Sequence, residues 1–380
     1  MRRQFISKLA LGLTMLLGLT TGCGDQKVLE RLGFTHTTSY DLTPQKEGQQ
    51  DKQLTIAVSI PKADAEGKVR RETLLTTAHT SKEAKIELSK KTELMMVSGQ
   101  LRNTLFGVKL AKQGLWRHID TLVRDPSISG RVKVTIVNGE AWKVLLRDYP
   151  DHPRTGQYID RLLEKESRTQ SIPQISVYEF VRNYYDDGID PIAPIIKGSD
   201  NEIEADGIAL FDDDRYVSKI PLDRSVIYSI LRGVMKRGEM SMDLNPYRKP
   251  ETDPNEYVML NSVYCRRAVK VKRTGNGRPA VHLQVELKGS VQEYTGSLHI
   301  FEDRDREQLA HMIERYVAAE AKDMMAFMQK NKVDSAGIGQ YVRNSLSFKE
   351  WKSLDWDKVY PETDITISVK VKIKDYGKSK

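Results

Sequence analysis

The sequence predicts an α+β protein of several domains, with antiparallel or mixed β-sheets and flanking helices. The first observation is the strict alternation of apolar and polar residues over 365–373, because such a strand has one face in water. The second is an amphipathic pattern over 305–330 that predicts one long helix. The third is the length of 380 residues, which at roughly 150 residues per domain indicates two or three domains.

The composition excludes several classes of protein. The chain carries 60 basic and 52 acidic side chains, a formal net charge of +8, and only two cysteines. Two cysteines are too few for a disulfide-rich scaffold or a four-cysteine zinc site. Because the sequence contains no run of 18 apolar residues, it does not encode a multi-spanning membrane protein.

Residues 1–22 have the pattern of a lipoprotein signal peptide. Arg2, Arg3 and Lys8 form a positive start, and the mostly apolar run 9–21 is too short to span a bilayer. Gly22-Cys23 follows, which predicts cleavage between these two residues and attachment of a diacylglyceryl group, with acyl chains such as palmitate, to the Cys23 thiol. An ordinary secretory signal cut near Gly22, with Cys23 unmodified, is the alternative.

Lipidation would divide the two cysteines into unlike roles. Removing residues 1–22 lowers the formal charge from +8 to +5 and leaves Cys265 as the second thiol. The sequence therefore predicts no internal disulfide, with Cys265 as a buried or half-buried structural thiol. The polar residues 23–50 are predicted to form a lipidated tether and a loop, anchored by two acyl chains.

Residues 51–200 are predicted to form an N-terminal α/β region, as one domain or two subdomains. A strand begins at Leu54 and stops before Pro61, and a second strand over 131–137 ends at the turn Asn138-Gly139. Helical patterns occupy the intervals 81–89, 101–125, 141–146 and 177–185. The polar segment 197–202 marks the boundary to the next region.

Residues 201–380 are predicted to form a C-terminal α+β domain rich in hairpins. One hairpin places Asp212, Asp213 and Asp214 at its tip, and a second turns at Asn276-Gly277. The long helix over 305–330 follows, with Asp305 and Gln308 as a capping-box-like pair. The alternating strand 365–373 is predicted to lie at a sheet edge or in an antiparallel pair.

No motif in the sequence indicates an active site. The HExxH, GxSxG, GxxxxGK[ST] and strand-associated GxGxxG patterns are absent, and the seven histidines are scattered. The three aspartates at 212–214 lack the ligand spacing of a calcium loop and are better explained as a hairpin tip. The sequence therefore predicts a protein that is not an enzyme and that needs no metal or cofactor.

The segment 369–380 carries a net charge of +4. Its lysines could attract anionic lipid headgroups, each contributing about 1 kcal/mol near the surface. Edge lysines that discourage strand-to-strand aggregation are the favoured explanation. Binding to nucleic acid is not predicted, because aromatic residues are not interleaved with the basic ones.

The whole pattern resembles the Ger(x)C family of spore germination lipoproteins. The resemblance rests on Gly22-Cys23 followed by LERLGF, on the stretch 112–145, on the glycine-led hairpin 206–220, and on VDSAGIGQYVR (333–343). It continues through Trp351 and Trp356 to the strand TDITISVKVKI. Thr20, where leucine is usual, and Gly24, where an aromatic residue is common, depart from the family pattern.

The resemblance implies a fold and a function. Members of the family are C subunits of GerA-type nutrient germinant receptors, held by a lipid anchor on the extracytoplasmic face of the spore inner membrane. They act beside an integral-membrane A subunit and a transporter-like B subunit. The family fold has several α/β domains, and no enzymatic activity is attributed to it. The chain is thus expected to be a non-catalytic subunit required for the germination response to nutrients.

The surface that contacts the other subunits is harder to predict. Tyr184, Tyr185, Trp351 and Trp356 are candidates as exposed aromatics, although core packing is an equally good explanation for the tryptophans. An extracytoplasmic solute-binding lipoprotein is the alternative function, but it should show repeated βαβ units with buried parallel strands. A cell-envelope enzyme is a weaker alternative, since no set of catalytic residues can be assembled.

Overall fold

The computed structural model describes residues 31–44, 53–63, 69–248, 255–275 and 278–374. The signal segment with Gly22 and Cys23, and the turn Asn276-Gly277, lie outside these residues. The described residues form helices and three β-sheets, in which strands pair both parallel and antiparallel. This confirms the α+β class. No described helix is long and apolar enough to cross a bilayer.

The largest sheet has eight strands, in the order β10-β9-β8-β7-β6-β2-β3-β4. The three central pairs, β2/β6, β6/β7 and β7/β8, are parallel, and the outer pairs are antiparallel. A short parallel pair, β1/β5, lies beside it. The strands are β1 (Leu32–Phe34), β2 (Thr37–Leu42), β3 (Leu54–Ala63), β4 (Val69–Ala78), β5 (Met95–Val97), β6 (Asn103–Gly107), β7 (Lys133–Val137), β8 (Ile192–Gly198), β9 (Ile203–Asp212) and β10 (Arg215–Pro221).

Helices cover this sheet on both faces. Every residue of β6 and β7 is buried, which requires both sides of these strands to be shielded from water. The helices of this half are α1 (Ser81–Ser89), α2 (Val108–Ala111), α3 (Trp116–Val123), α4 (Ala141–Leu146), α5 (Thr155–Arg168) and α6 (Val177–Tyr185). The prediction of one helical stretch over 101–125 is wrong at its start, where β6 lies.

Residues 32–42, predicted to belong to the tether and loop, form β1 and β2 instead. β2 pairs with β3 on one side and β6 on the other, so it is a central strand. Its polar residues resemble a loop in sequence, yet Thr37, Ser39 and Asp41 are all buried. Asp41 accepts hydrogen bonds from the amides of Ala141 and Trp142 at 2.8 Å each, which satisfies the start of α4.

The C-terminal sheet has four strands, in the order β11-β12-β13-β14. They are β11 (Gly238–Asp243), β12 (Tyr257–Arg273), β13 (Pro279–Tyr294) and β14 (Asp364–Ile373). β14 lies at the sheet edge, as predicted, and pairs in parallel with β13. The helices of this half are α7 (Ser225–Arg232), α8 (Asp303–Lys330), α9 (Ile338–Ser345), α10 (Phe348–Ser353) and α11 (Trp356–Val359).

The long helix α8 packs its apolar face against this sheet. Leu309, Ile313 and Val317 are fully buried in the core that also contains Leu283 of β13. The predicted capping-box-like pair of Asp305 and Gln308 is wrong, because the helix begins two residues earlier, after Glu302. Asp305 instead accepts a 2.8 Å hydrogen bond from the amide of His299.

The predicted boundary after residue 200 falls inside the eight-stranded sheet. β9 pairs with β8, and β10 pairs with β9, so the first hairpin of the C-terminal half completes the N-terminal sheet. The two halves of the chain are therefore joined by backbone hydrogen bonds.

Cys265 is 4% exposed on β12, and its burial raises the pKa of the thiol to about 11, as expected of a structural cysteine.

Candidate functional site

The candidate site is a cleft where the loop 186–190, which follows α6, meets the segment 331–357, which follows α8. We call it the junction cleft; its volume is about 310 Å³. Seven aspartates and one lysine are among the residues that line it. The lining residues are Tyr184, Asp186, Asp187, Gly188, Ile189, Asp190, Asp213, Asp334, Trp351, Lys352, Leu354, Asp355, Trp356 and Asp357.

Asp334 organises the C-terminal wall of the junction cleft. Its side chain is buried, and one carboxylate oxygen accepts the amide of Ile338 at 2.8 Å. The other oxygen accepts the amide of Gly339 at 2.6 Å and the indole Nε1–H of Trp356 at 3.1 Å. Asp334 thereby satisfies the first turn of α9, whose free amides need acceptors, and joins that turn to α11.

Asp190 joins this wall to the N-terminal half. Its carboxylate accepts the backbone amide of Asp334, and its own amide donates to the carbonyl of Asp334 at 3.2 Å. Gly188, two residues before Asp190, makes a further contact, because its carbonyl accepts a hydrogen bond from the amide of Gln340 at 3.0 Å. The loop 186–190 and the start of α9 are therefore held together by main-chain hydrogen bonds.

Side chains of the two adjacent aspartates add further ties. Asp186 accepts hydrogen bonds from Gln340 Nε2 and from the guanidinium of Arg343. Asp187 accepts from the indole of Trp351 at 3.1 Å and from Lys352 Nζ at 2.8 Å. These bonds hold the pKa of the Asp187 carboxyl below its usual range. The turn-like sequence Asp186-Asp187-Gly188 thus makes specific contacts across the junction.

The structure brings the four predicted aromatics to this region in different environments. Tyr184 is half-buried, stacks on Trp116 at 4.5 Å between ring centroids and lines the junction cleft, whereas Tyr185 is 66% exposed. Trp351 and Trp356 are only 6% and 7% exposed, and their rings lie 6.0 Å apart. For the tryptophans the structure supports the alternative of core packing, because their rings are buried while their N–H groups donate to Asp187 and Asp334.

Burial and crowding of carboxyl groups control the electrostatics of the cleft. Burial raises the pKa of Asp334 to about 7, despite the hydrogen bonds that lower it. Burial and the neighbouring Asp334 carboxyl raise the pKa of Asp190 well above its usual value. The pKa values of Asp213 and Asp357 are raised first by burial and then by nearby carboxyls.

The contacts around the junction cleft hold the loop 186–190 and the segment 331–357 together, and the opening of the cleft is acidic. Among the described residues, no group of three His, Cys, Asp or Glu side chains is placed to hold a metal ion. Lys352 pairs with Asp187, and its Nζ lies 5.9 Å from the ring centroid of Phe348, which is 78% exposed. We call Phe348, together with the exposed Tyr185 beside Tyr184, the rim of the junction cleft. A partner with basic and apolar groups would fit this rim.

Sequence reasoning missed the central residues of the site. Asp190 and Asp334 are 144 residues apart, and neither lies in a recognisable motif for catalysis or metal binding. The available signal was the family-like segment 333–343, which contains Asp334. The hairpin tip at 212–214 is confirmed, and Asp214 accepts the amide of Trp116 at 2.7 Å.

Gly188→Ala is expected to lower the free energy of unfolding by about 2–4 kcal/mol. Gly188 has φ +87°, and an added Cβ would lie 2.5 Å from the carbonyl carbon of Gly339 and 2.7 Å from the amide nitrogen of Gln340. Gly139→Ala is the matched control, since φ is +138° there but no atom lies within 4 Å of an added Cβ. Urea unfolding should show the larger loss for Gly188→Ala; equal losses would mean that the close approach of the two backbones is unimportant.

Comparisons with known proteins match both halves of the chain. The family described as "Spore germination protein N-terminal domain" matches residues 25–198, and the family described as "Spore germination B3/GerAC like, C-terminal" matches residues 206–377. The interval between the two matches, 199–205, contains the predicted boundary after residue 200.

Individual relatives cover nearly the whole chain. The spore germination protein GerQC of Bacillus cereus is 23% identical over 357 residues, covering 94% of this chain and 95% of that protein. The spore germination protein B3 of Bacillus subtilis (strain 168) is 22% identical, covering 98% of each chain. The crystal structure of the GerBC protein is similar in fold, with a TM-score of 0.58 at 18% identity, covering 91% of this chain and 99% of that one.

Proposed function

Because the chain belongs to the GerAC-like family of spore germination proteins, we propose that it is a membrane-anchored, non-catalytic subunit of a spore nutrient germinant receptor. The observation that carries this proposal is the match of both family domains, in order, over residues 25–198 and 206–377. The relatives that match over more than nine-tenths of the chain are themselves described as spore germination proteins. The role of the chain is to make the receptor competent to respond to nutrients.

The anchor is proposed to be a diacylglyceryl group on Cys23, exposed as the new N-terminus when the signal is cleaved after Gly22. Two acyl chains hold a domain on a bilayer, whereas one binds only reversibly. The chain would then lie on the extracytoplasmic face of the spore inner membrane. Confinement to a thin layer raises its effective concentration around membrane partners without requiring strong contacts.

Cys23→Ala is expected to abolish incorporation of labelled fatty acid and to release the chain from sedimented membranes. Cys265→Ala is the matched control, because Cys265 is buried and lies outside the signal pattern. This control should keep both the label and the membrane association. Labelling and membrane association that survive Cys23→Ala would rule out the anchor.

The proposed partners are the integral-membrane A and B subunits of the receptor. A subunit without catalysis acts on them by binding one state of the receptor more tightly than the other. The rim of the junction cleft offers Tyr185 and Phe348 as exposed aromatic side chains, which are enriched at protein interfaces. Nutrient-induced germination of spores lacking the chain tests this role.

A solute-binding lipoprotein that captures the nutrient itself is a second candidate. The strands β2, β6, β7 and β8 are parallel neighbours, and β6 and β7 are fully buried, so the chain has the buried parallel strands expected of this class. Calorimetric titration of the purified chain with amino acids and sugars separates the two candidates. Micromolar binding would favour the solute-binding class, and the receptor-subunit proposal expects none.

A further inference from the structure

The C-terminal sheet has a charged outer face, which we call the basic face. It is formed by side chains of β12, β13 and β14 that alternate with the buried residues Val281, Leu283, Val285 and Leu287. Register partners share a face, so the positions can be assigned across all three strands. The basic face contains Tyr264, Arg266, Ala268, Lys270, Lys272, Ala280, His282, Gln284, Glu286, Lys288, Asp364, Thr366, Ser368, Lys370 and Lys372.

Positive charge dominates this face. Six of the residues are Lys or Arg and two are acidic, if histidine is neutral. Glu286 pairs with Lys288 at 3.3 Å and with Lys372 at 3.2 Å, and these lysines hold its pKa below the usual range. Lys270, Lys272 and Lys370 are exposed and form no ion pair with any residue in the described part of the chain.

The centre of the basic face is open. Ala268, Gln284 and Ser368 lie in register across the three strands, and all three are exposed. No described segment of the chain therefore covers the middle of the face. Protection of a sheet edge explains the lysines of β14, and also Lys270 and Lys272, because β11 pairs with β12 only as far as Val263. It does not explain Lys288 of β13, which lies between β12 and β14.

The residue types of the basic face favour anionic lipid over protein as its partner. Lysine is depleted in the cores of protein interfaces, where aromatic residues and arginine are enriched, and the basic face carries five lysines and one tyrosine. An array of lysines on a sheet surface instead complements a layer of anionic lipid headgroups, to which each lysine contributes independently.

We propose that the basic face lies against the anionic surface of the membrane that carries the chain. The inference rests on the proposed lipid anchor, which brings the sheet within reach of that surface. The contact would orient the domain, so that the remaining surfaces, including the rim of the junction cleft, face partners in or above the bilayer. Each lysine held near such a surface strengthens the attraction about fivefold, and salt weakens it.

The experiment compares lysine acetylation, read by mass spectrometry, in the full-length lipidated chain on two kinds of vesicle. One is phosphatidylcholine alone, and the other also contains phosphatidylglycerol. Acetylation of Lys270, Lys370 and Lys372 is expected to be about fivefold slower on the anionic vesicles and to recover at high salt. Lys112, Lys322 and Lys349, which are exposed elsewhere, should react equally on both.

Charge reversal provides the second arm. Combining K270E, K370E and K372E should abolish the anionic-lipid protection of Lys272, whereas combining K112E, K322E and K349E should preserve it. Circular dichroism of both triple variants checks that they are folded. Equal acetylation on the two vesicles, or protection that requires a protein partner instead of phosphatidylglycerol, would overturn the proposal.

Flotation separates this inference from the anchor. Phosphatidylcholine has no net charge, so flotation with it reports the acyl chains alone. A chain that floats with both vesicles but shows no lipid-dependent protection contradicts the basic face only. A chain that floats only with phosphatidylglycerol vesicles contradicts the anchor and supports the basic face.

Discussion

Asp334→Ala is expected to lower the free energy of unfolding by about 3–5 kcal/mol, because a buried carboxylate that serves three donors would be lost. The amides of Ile338 and Gly339 and the indole N–H of Trp356 would lose their acceptor at a buried position. Urea unfolding followed by tryptophan fluorescence measures the loss, since Trp351 and Trp356 lie in the affected region.

Asp151→Ala is the matched control for this prediction. Asp151 is exposed and has no hydrogen bond or ion pair with a described residue, so its removal should change stability by less than about 0.5 kcal/mol. A loss below about 1 kcal/mol for Asp334→Ala would show that the carboxylate does not hold the junction together.

The Asp334 carboxyl makes the free energy of unfolding depend on pH. Its pKa is raised from 3.8 to about 7 in the folded protein, so the folded state holds the proton more tightly than the unfolded chain. The resulting stabilisation is complete below about pH 4 and is lost as the pH rises through about 7. Asp334→Asn cannot titrate, and it should therefore lose less stability over this range than the natural chain does.

Local sequence patterns predict the helices and strands that have one face in water and one face in the core. The edge strand β14 alternates because one face is in water. The helix predicted over 177–185 is confirmed as α6, in which Val177 and Phe180 face the core and Glu179 completes a capping box. The hairpin of β9 and β10 is predicted from the aspartates at its tip, and the burial of Cys265 from the strand-like segment that contains it.

The position of β7 is predicted, since the predicted strand 131–137 contains it, but the burial of both faces of the central strands is not, because these strands carry buried polar residues. Lys133 of β7 is 6% exposed and pairs with Asp160, while Thr104 of β6 donates to the carbonyl of Lys133 at 2.9 Å. Alternating polar positions therefore resemble a wet face although both faces are covered. The polar strand β2 was mistaken for a loop for the same reason.

The candidate site depends on contacts between distant parts of the chain. The four aromatics were identified by residue type, but their exposure depends on partners such as Asp187 and Asp334, which lie 164 and 22 residues from Trp351 and Trp356. Nothing in the order of residues indicates that the loop 186–190 and the start of α9 lie together. Likewise, the six cations of the basic face become one surface only through the register of three strands.

Deletion of the gene in a sporulating host is expected to abolish germination with at least one nutrient. The host should lack other genes of this family, because a related subunit could otherwise replace the missing chain. Reintroducing the natural chain should restore the response. The Cys23→Ala chain should restore little of it, since loss of the anchor removes the high effective concentration at the membrane.

The rate of nutrient-induced germination in these spores tests the receptor assignment most directly. The deletion strain is expected to fail with one or more amino acids or sugars, and the natural chain is expected to restore the rate. Unchanged germination of the deletion strain with every nutrient tested would contradict the assignment of this chain to a germinant receptor.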